Sequence, residues 1–339
     1  MKGLLLTAPG HLEYADLPEP IVEGDLDVIL RVDAASICGS DTHGYRGQGG
    51  RRQPPLVMGH EACGTVDTVG RAVTDLAPGQ RVFMMPMEAC LQCRSCSQGR
   101  YDACTRRKVY GADLPGAFAD RIRITASSAV PIPDGVSDIQ GSLLEPLSVV
   151  LKGISRAQVR PGDAIAVVGG GPIGLLSVAV LRLYQPHHLI VVEPNATRRA
   201  LAVSLGATAA VDPAAGEAAD QIRDVTSLTG VDLAVEAVGI SETVATAVRV
   251  IRPEGVMVWL GNAGRVVEID EFDVVWKQLT ILASVGVTRE AVRRAIALVE
   301  QEAVAVERLV GAVVPLVDGV PAFHRQASDP DLVKTVLVP

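Results

Sequence analysis

The run A-I-A-V-V-G-G-G-P-I-G at residues 164–174 decides the fold. Five apolar residues rich in valine and isoleucine read as a buried strand, and the glycines at 169, 171 and 174 follow it as G-x-G-x-x-G. That spacing suits a strand turning directly into a helix. The first glycine makes the turn, the second lets the backbone approach a pyrophosphate, and the third lets helix and strand pack closely. The helix continues as L-L-S-V-A-V-L-R-L, and a second strand, residues 189–192, runs into Glu193, 19 positions beyond Gly174. An acid there can hold both hydroxyls of an adenosine ribose and repels a 2'-phosphate, so NAD is favoured over NADP, although Arg198 and Arg199 pull the other way. The candidate nucleotide-binding residues here are Gly169, Gly171, Pro172, Ile173, Gly174, Glu193 and Arg198.

The same strand-helix unit recurs downstream, with strands near residues 209–211, 231–237, 256–260 and 280–285. Helices lie between them, among them 241–251, with Ser241 as its N-cap and Pro253 beyond its end. Six strands joined by crossover helices make a doubly wound parallel sheet, an α/β fold. Ligands bind at the carboxyl ends of such strands, so Val238, Gly239, Gly261 and Asn262 are expected to border the nicotinamide half. Upstream, turn signals separate short apolar-polar alternations at 28–32, 64–69 and 81–85, with a further strand pair at 116–124. This predicts a β-rich N-terminal domain, residues 1–150, with its chemistry on loops. The tail, with a helix at 291–299 and a last strand at 333–338, completes that domain from 288 to 339, around a nucleotide domain at 151–287.

Two clusters in the N-terminal domain have the composition of metal sites. C-G-S-D-T-H at 38–43 and G-H-E at 59–61 gather Cys38, His60, Glu61, Ser40, Asp41 and His43 within 24 residues. Mixed sulfur, imidazole and carboxylate ligands characterise catalytic zinc, which keeps one position open. Glu145 stands among leucines in S-L-L-E-P-L, where a buried carboxylate is costly without a cation. An acid in the first helical turn is the plainer account of it, but beside an incomplete metal site a fourth ligand group is the better one. Between Cys90 and Cys104 the chain reads C-L-Q-C-R-S-C-S-Q-G-R-Y-D-A-C, with Cys90, Cys93, Cys96 and Cys104 spaced by two, two and seven residues. Four thiolates in one loop suit a closed, structural zinc.

Composition excludes several classes. Apolar residues are 48% and charged residues 21% of 339, ordinary for a globular enzyme of two domains. The net charge of −8 and the short basic runs, Arg51-Arg52 and Arg106-Arg107-Lys108, leave no stripe for a phosphate backbone, so no nucleic-acid partner is expected. Residues 164–181 carry no charge, but the glycines and proline inside them break a membrane helix. The N-terminus lacks the form of a signal peptide, and thiols at ligand spacing point to a reducing, cytoplasmic compartment.

Taken together, C-G-S-D-x-H at 38–43, G-H-E at 59–61, the four-cysteine lobe, L-E-P at 144–146 and G-G-G-P-I-G at 169–174 resemble the zinc-dependent medium-chain dehydrogenase/reductase family. The likeness covers essentially the whole chain, in the order of the alcohol and polyol dehydrogenases of the sorbitol and threonine branch. It implies a GroES-like catalytic domain built from both chain ends, a Rossmann domain in the middle and an active site in the cleft between them. It also implies two zinc ions per chain, a small hydroxyl substrate and a homodimer or homotetramer. By the resemblance Cys38 and His60 bind the catalytic zinc and Glu61 is a ligand in the polyol branch. Glu145 stands where classical alcohol dehydrogenases place a cysteine ligand, and the third ligand is either of the two carboxylates. Asp41 orients the zinc-bound imidazole, and Ser40 and His43 resemble the proton relay.

The reaction implied is NAD(P)-linked oxidation of a secondary alcohol to a ketone. Carboxylate ligation and a pocket-poor aromatic content of four Phe and two Trp favour a polyol, sugar or cyclitol. An amino-alcohol dehydrogenase of the threonine type is the nearest alternative, and a non-catalytic zinc and nucleotide binder is the alternative of another class. Cys63 matches no family ligand and reads as a small buried residue. The loop at 44–53 is expected to border the substrate.

Overall fold

The structure is a computed structural model that describes residues 1–339 except Gly49 and Leu228. The chain divides into two units, Met1–Glu145 with Gly286–Pro339, and Pro146–Val285.

The first unit is β-rich. Its central strands are β1 (Asp27–Ser36) and β2 (Glu61–Val69), antiparallel, with Ser36 opposite Glu61. The seven-stranded sheet runs Ala129–Pro131, Arg81–Met84, β2, β1, Lys334–Val338, Val310–Pro315, and Arg121–Thr125 also pairs with β1. The last strand of the chain therefore lies directly against β1. The core of this unit gathers Leu4, Leu30, Met58, Phe118 and Phe323, all essentially inaccessible. Residues 116–124 do not form the expected strand pair. Only Arg121–Thr125 is a strand, because the backbone of Gly116, Ala117 and Phe118 donates instead to Val57, Gly59 and Met58.

Between β1 and β2 the chain forms a short helix, α1 (Gly39–Tyr45), where the sequence predicted loop. Its residues are poor helix formers, and its start is held by caps. The Cys38 sulfur accepts from the Ser40 backbone, and the Asp41 carboxylate accepts from the Cys38 N–H, a capping box with a thiol in the hydroxyl's place.

The second unit is a six-stranded parallel sheet of β3 (Ala164–Val168), β4 (His188–Val192), β5 (Ala209–Val211), β6 (Val231–Glu236), β7 (Ile251–Trp259) and β8 (Thr280–Ala283). Their spatial order is β5-β4-β3-β6-β7-β8, the doubly wound order that reverses between β3 and β6. The apolar runs read from the sequence are these strands, and the inner ones, β3, β4 and β6, are buried because helices cover both faces of a parallel sheet. Ser241 is not a cap. The helix begins at Ser241 itself after Ile240, and the Ser241 hydroxyl accepts from the Glu268 backbone. No described helix is long and apolar enough to cross a membrane.

Candidate active site

The ligand atoms of Cys38, His60 and Glu61 lie within 4.8 Å of one another. Three features bring them there. Cys38 caps α1 immediately after β1, Gly59 takes the left-handed conformation (φ +96) that turns the chain into β2, and the β1–β2 register sets Glu61 opposite Ser36. A side chain at position 59 would strike the Phe118 ring, 2.6 Å from its Cβ. Ser40, on the first turn of α1, sets its hydroxyl 3.4 Å from the Cys38 sulfur and 3.5 Å from His60 Nε2. Asp41 Oδ1 faces the other ring nitrogen of His60 at 3.3 Å. His43, on the same helix, makes no hydrogen bond to Ser40 among the described residues.

The electrostatics explain how so many ionisable groups share this interior. Burial alone would push the Asp41 carboxyl up, but the charges of His60 and Arg52, with hydrogen bonds from His60 and Cys38, hold it at about 2. Burial disfavours a charged His60 ring, and Asp41 and Cys38 outweigh it and raise its pKa. Burial and the neighbouring Glu61 charge push Glu145 up to about 7. Glu145 is enclosed, yet it falls outside the mutual 4.8 Å group formed by the other three.

Two groups that the sequence reading missed complete the balance. Lys334, on the last strand and 1% exposed, donates its ammonium to the Glu61 carboxylate and, at 3.1 Å, to the Ile37 carbonyl. Ser36 donates to the same Glu61 oxygen. The signal was present in V-K-T-V-L-V, a lone lysine in an apolar strand, since a buried ammonium requires a partner. The second is Arg52, whose Nη2 donates to Ser40 Oγ at 3.1 Å and Asp41 Oδ1 at 2.8 Å.

A thiol, an imidazole with its Nε2 turned inward and a carboxylate, converging with Asp41 and Glu145 nearby, form a donor set that a divalent cation fits. It would supply the positive charge that Lys334 and Arg52 provide only at the edges. The four-cysteine lobe fits a second ion on distance. Tetrahedral zinc with Zn–S bonds of about 2.3 Å has sulfurs about 3.8 Å apart, and Cys93–Cys96 and Cys90–Cys96 stand at 3.5 Å and 4.0 Å. The sulfurs of Cys90, Cys93, Cys96 and Cys104 are mutually within 4.8 Å and none is in a disulfide. Hydrogen bonds from the Gln92 and Cys93 backbone bring the Cys90 thiol down to about 6, against its modest burial, which readies it as a thiolate.

In the second unit the glycine motif has the geometry of a nucleotide loop. Gly169 is left-handed (φ +103), and a Cβ on Gly174 would fall 1.8 Å from the Gly169 carbonyl oxygen, so neither tolerates a side chain. The space at Gly171 is open. Pro172 and Ile173 start the following helix, Pro172–Leu181, with Gly171 at its N-cap. Glu193 is buried, and its carboxylate accepts from the backbones of Gly170 (2.6 Å) and Asn195 (2.8 Å), which fixes it beside the loop. Arg199 is committed to the Glu193 and Pro194 carbonyls and to Asp212, whereas Arg198 has a buried Nε without a partner. Val238, Gly239, Gly261 and Asn262 form one place at the ends of β6 and β7. The fully buried Glu236 carboxylate accepts from Val238 and Gly239, and the two loops touch backbone to backbone.

Residues 24–134 match the alcohol dehydrogenase GroES-like domain, and residues 172–301 match the zinc-binding dehydrogenase domain. A relative named "Probable D-xylulose reductase A", from Aspergillus clavatus, is 33% identical over 324 residues, 93% of this chain and 90% of the relative. The chain belongs to the zinc-dependent medium-chain dehydrogenase/reductase family and is an oxidoreductase of alcohols. A Sinorhizobium meliloti protein solved bound to NADP shares 33% identity, with a TM-score of 0.90 over 100% of this chain and 99% of that one. The alcohol dehydrogenase TADH of Thermus sp. ATN1 shares 28%, with a TM-score of 0.93 over 100% and 99%. Zinc and a nicotinamide cofactor come with the family.

The charge on Asp41 gives a test of the site's architecture. Its folded pKa lies below the ordinary 3.8, so its contribution is complete above that value and is lost as pH falls toward about 2. That loss is expected to be about 2 kcal/mol. Denaturant unfolding across this acid range should show it, and Asp41→Asn should lack that part of the slope. Equal slopes for both proteins would refute the assignment.

Proposed function

We propose that this chain oxidises a secondary hydroxyl of a polyol, sugar or cyclitol to the ketone, with NAD as the acceptor. The observation that carries the reading is the convergence of Cys38, His60 and Glu61 with the Ser40 hydroxyl beside them. Cys38, His60 and Glu61 hold the catalytic zinc, and Cys90, Cys93, Cys96 and Cys104 hold the structural one. Held by Cys38, His60 and Glu61, a zinc ion would supply Lewis acidity toward the substrate oxygen. A nicotinamide cofactor held at the glycine loop and Glu193 would supply the hydride acceptor.

The side chains do the rest. Ser40 takes the substrate's proton and passes its own outward toward His43. Burial and the charges of Arg46 and Arg52 lower the His43 pKa, which leaves it neutral and able to accept. Asp41 holds the His60 ring in one orientation. Glu145 lines the site, where burial and the Glu61 charge raise its pKa and a carboxyl group is available to hydrogen-bond substrate hydroxyls. A net reaction of alcohol and NAD⁺ to ketone, NADH and a proton is thereby balanced.

The polyol class draws support from the carboxylate ligation and from the fungal relative's name. A panel of polyols, sugars, L-threonine and apolar alcohols, each with NAD and NADP, tests it. Turnover confined to apolar alcohols sinks the polyol reading, and preference for L-threonine replaces it. The Glu193 carboxylate beside the glycine loop supports NAD, because its charge opposes a 2'-phosphate. Glu193→Ala is expected to raise KM for NAD about tenfold to a hundredfold, the worth of hydrogen bonds to a charged group, and to narrow the preference over NADP. An unchanged ratio of kcat/KM for the two cofactors removes Glu193 from that role.

A homodimer or homotetramer fits two features of the second unit. β8 is an edge strand, and the stacked, mostly exposed Phe272 and Trp276 rings stand on the helix Glu271–Trp276, which immediately precedes it. Six free cysteines fit a reducing cytoplasm.

A further inference from the structure

Arg52 reaches the site through a slot that exists because position 44 is glycine. A Cβ on Gly44 would fall 2.1 Å from Arg52 Cδ and 3.0 Å from its Nε. Gly44 lies inside α1, where its backbone has no need of glycine, and glycine is a poor helix former. The missing side chain serves the arginine instead. The Arg52 side chain is 11% exposed, far more enclosed than Arg51, whose side chain is 46% exposed and forks onto Asp113.

The direction of the hydrogen bonds at Ser40 follows from chemistry. A guanidinium only donates and is protonated at every working pH. The Ser40 oxygen must therefore accept from Arg52, so one of its lone pairs is committed and its single hydroxyl proton is directed away from the guanidinium. The same Nη2 holds Asp41 Oδ1, so the α1 residues that face the site are braced by one cation.

We propose that Arg52, admitted by Gly44, is a positioning residue that sets the direction in which the Ser40 hydroxyl handles the substrate's proton. This rests on the reading of Ser40 as the group that takes that proton.

The test compares zinc-loaded wild type, Arg52→Ala, Gly44→Ala and the double variant, with NAD and the best alcohol of the panel. Gly44→Ala keeps the arginine and favours the helix, so it separates loss of position from loss of fold. Each single variant is expected to lower kcat about tenfold to a hundredfold, part of the worth of general acid–base catalysis. KM for NAD and zinc content should stay unchanged, and the double variant should be no slower than Arg52→Ala alone. Millimolar guanidinium should restore part of kcat in Arg52→Ala. Wild-type kcat in Gly44→Ala, additive losses in the double variant, or zinc lost with Arg52 each overturns the inference while wild-type turnover leaves the proposed function standing. A wild type that oxidises no hydroxyl compound overturns both.

Discussion

Lys334→Ala is expected to destabilise the metal-free protein by about 3–5 kcal/mol, the typical cost of removing one partner of a buried ion pair. Lys334 and Glu61 are each 1% exposed, and after the substitution Glu61 keeps, among the described residues, only the Ser36 hydroxyl. Burial lowers the Lys334 pKa, but Glu61 and Cys38 outweigh it and raise it, so the ammonium stays charged across the working range. On the proposed ligand set zinc would supply positive charge to the same carboxylate, so the loss should be smaller in the zinc-loaded protein. Denaturant unfolding with and without a chelator measures both. A loss under about 1 kcal/mol in the metal-free protein would show that water or another cation already serves Glu61.

Cys38→Ala carries the larger effect on activity. It removes one donor of the proposed catalytic zinc site and the α1 cap at once, the cap being worth about 1 kcal/mol of stability. A Lewis acid contributes several kcal/mol to such a reaction, so kcat is expected to fall by about 10³-fold or more. Elemental analysis should find one zinc per chain, held by the four cysteines, in place of two. Nicotinamide cofactor binding, proposed to rest on the glycine loop, should be retained. Full activity with one zinc per chain would place the chemistry elsewhere.

The parts of this protein that could be read from sequence are those whose cause is local. The β3 run with its glycines, and the cysteines at 90–104, are spaced by the geometry of a turn or a tetrahedron, which is written in consecutive residues. α1 was less legible because C-G-S-D-T-H-G has weak helix propensity, and its helix depends on a thiol cap seldom used as a signal. The strand Val310–Pro315 and the helix Gly319–Ser328 went unread. The strand V-G-A-V-V-P contains both glycine and proline, and the helix begins G-V-P, a turn signature. Lys334 meets Glu61 across 273 residues, a pairing that only the sheet order makes. Arg52 is near Ser40 in sequence, but its role depends on an atom absent from Gly44.

The neighbour of β1 is a strand made from the final residues of the chain. During synthesis Cys38, His60 and Glu61 emerge before the nucleotide unit, and the lysine that offsets Glu61 emerges after it. Until that strand emerges, the end of β1 that it covers, at Ala35 and Ser36, lacks its sheet partner, and an unpaired strand edge is a template for wrong pairing.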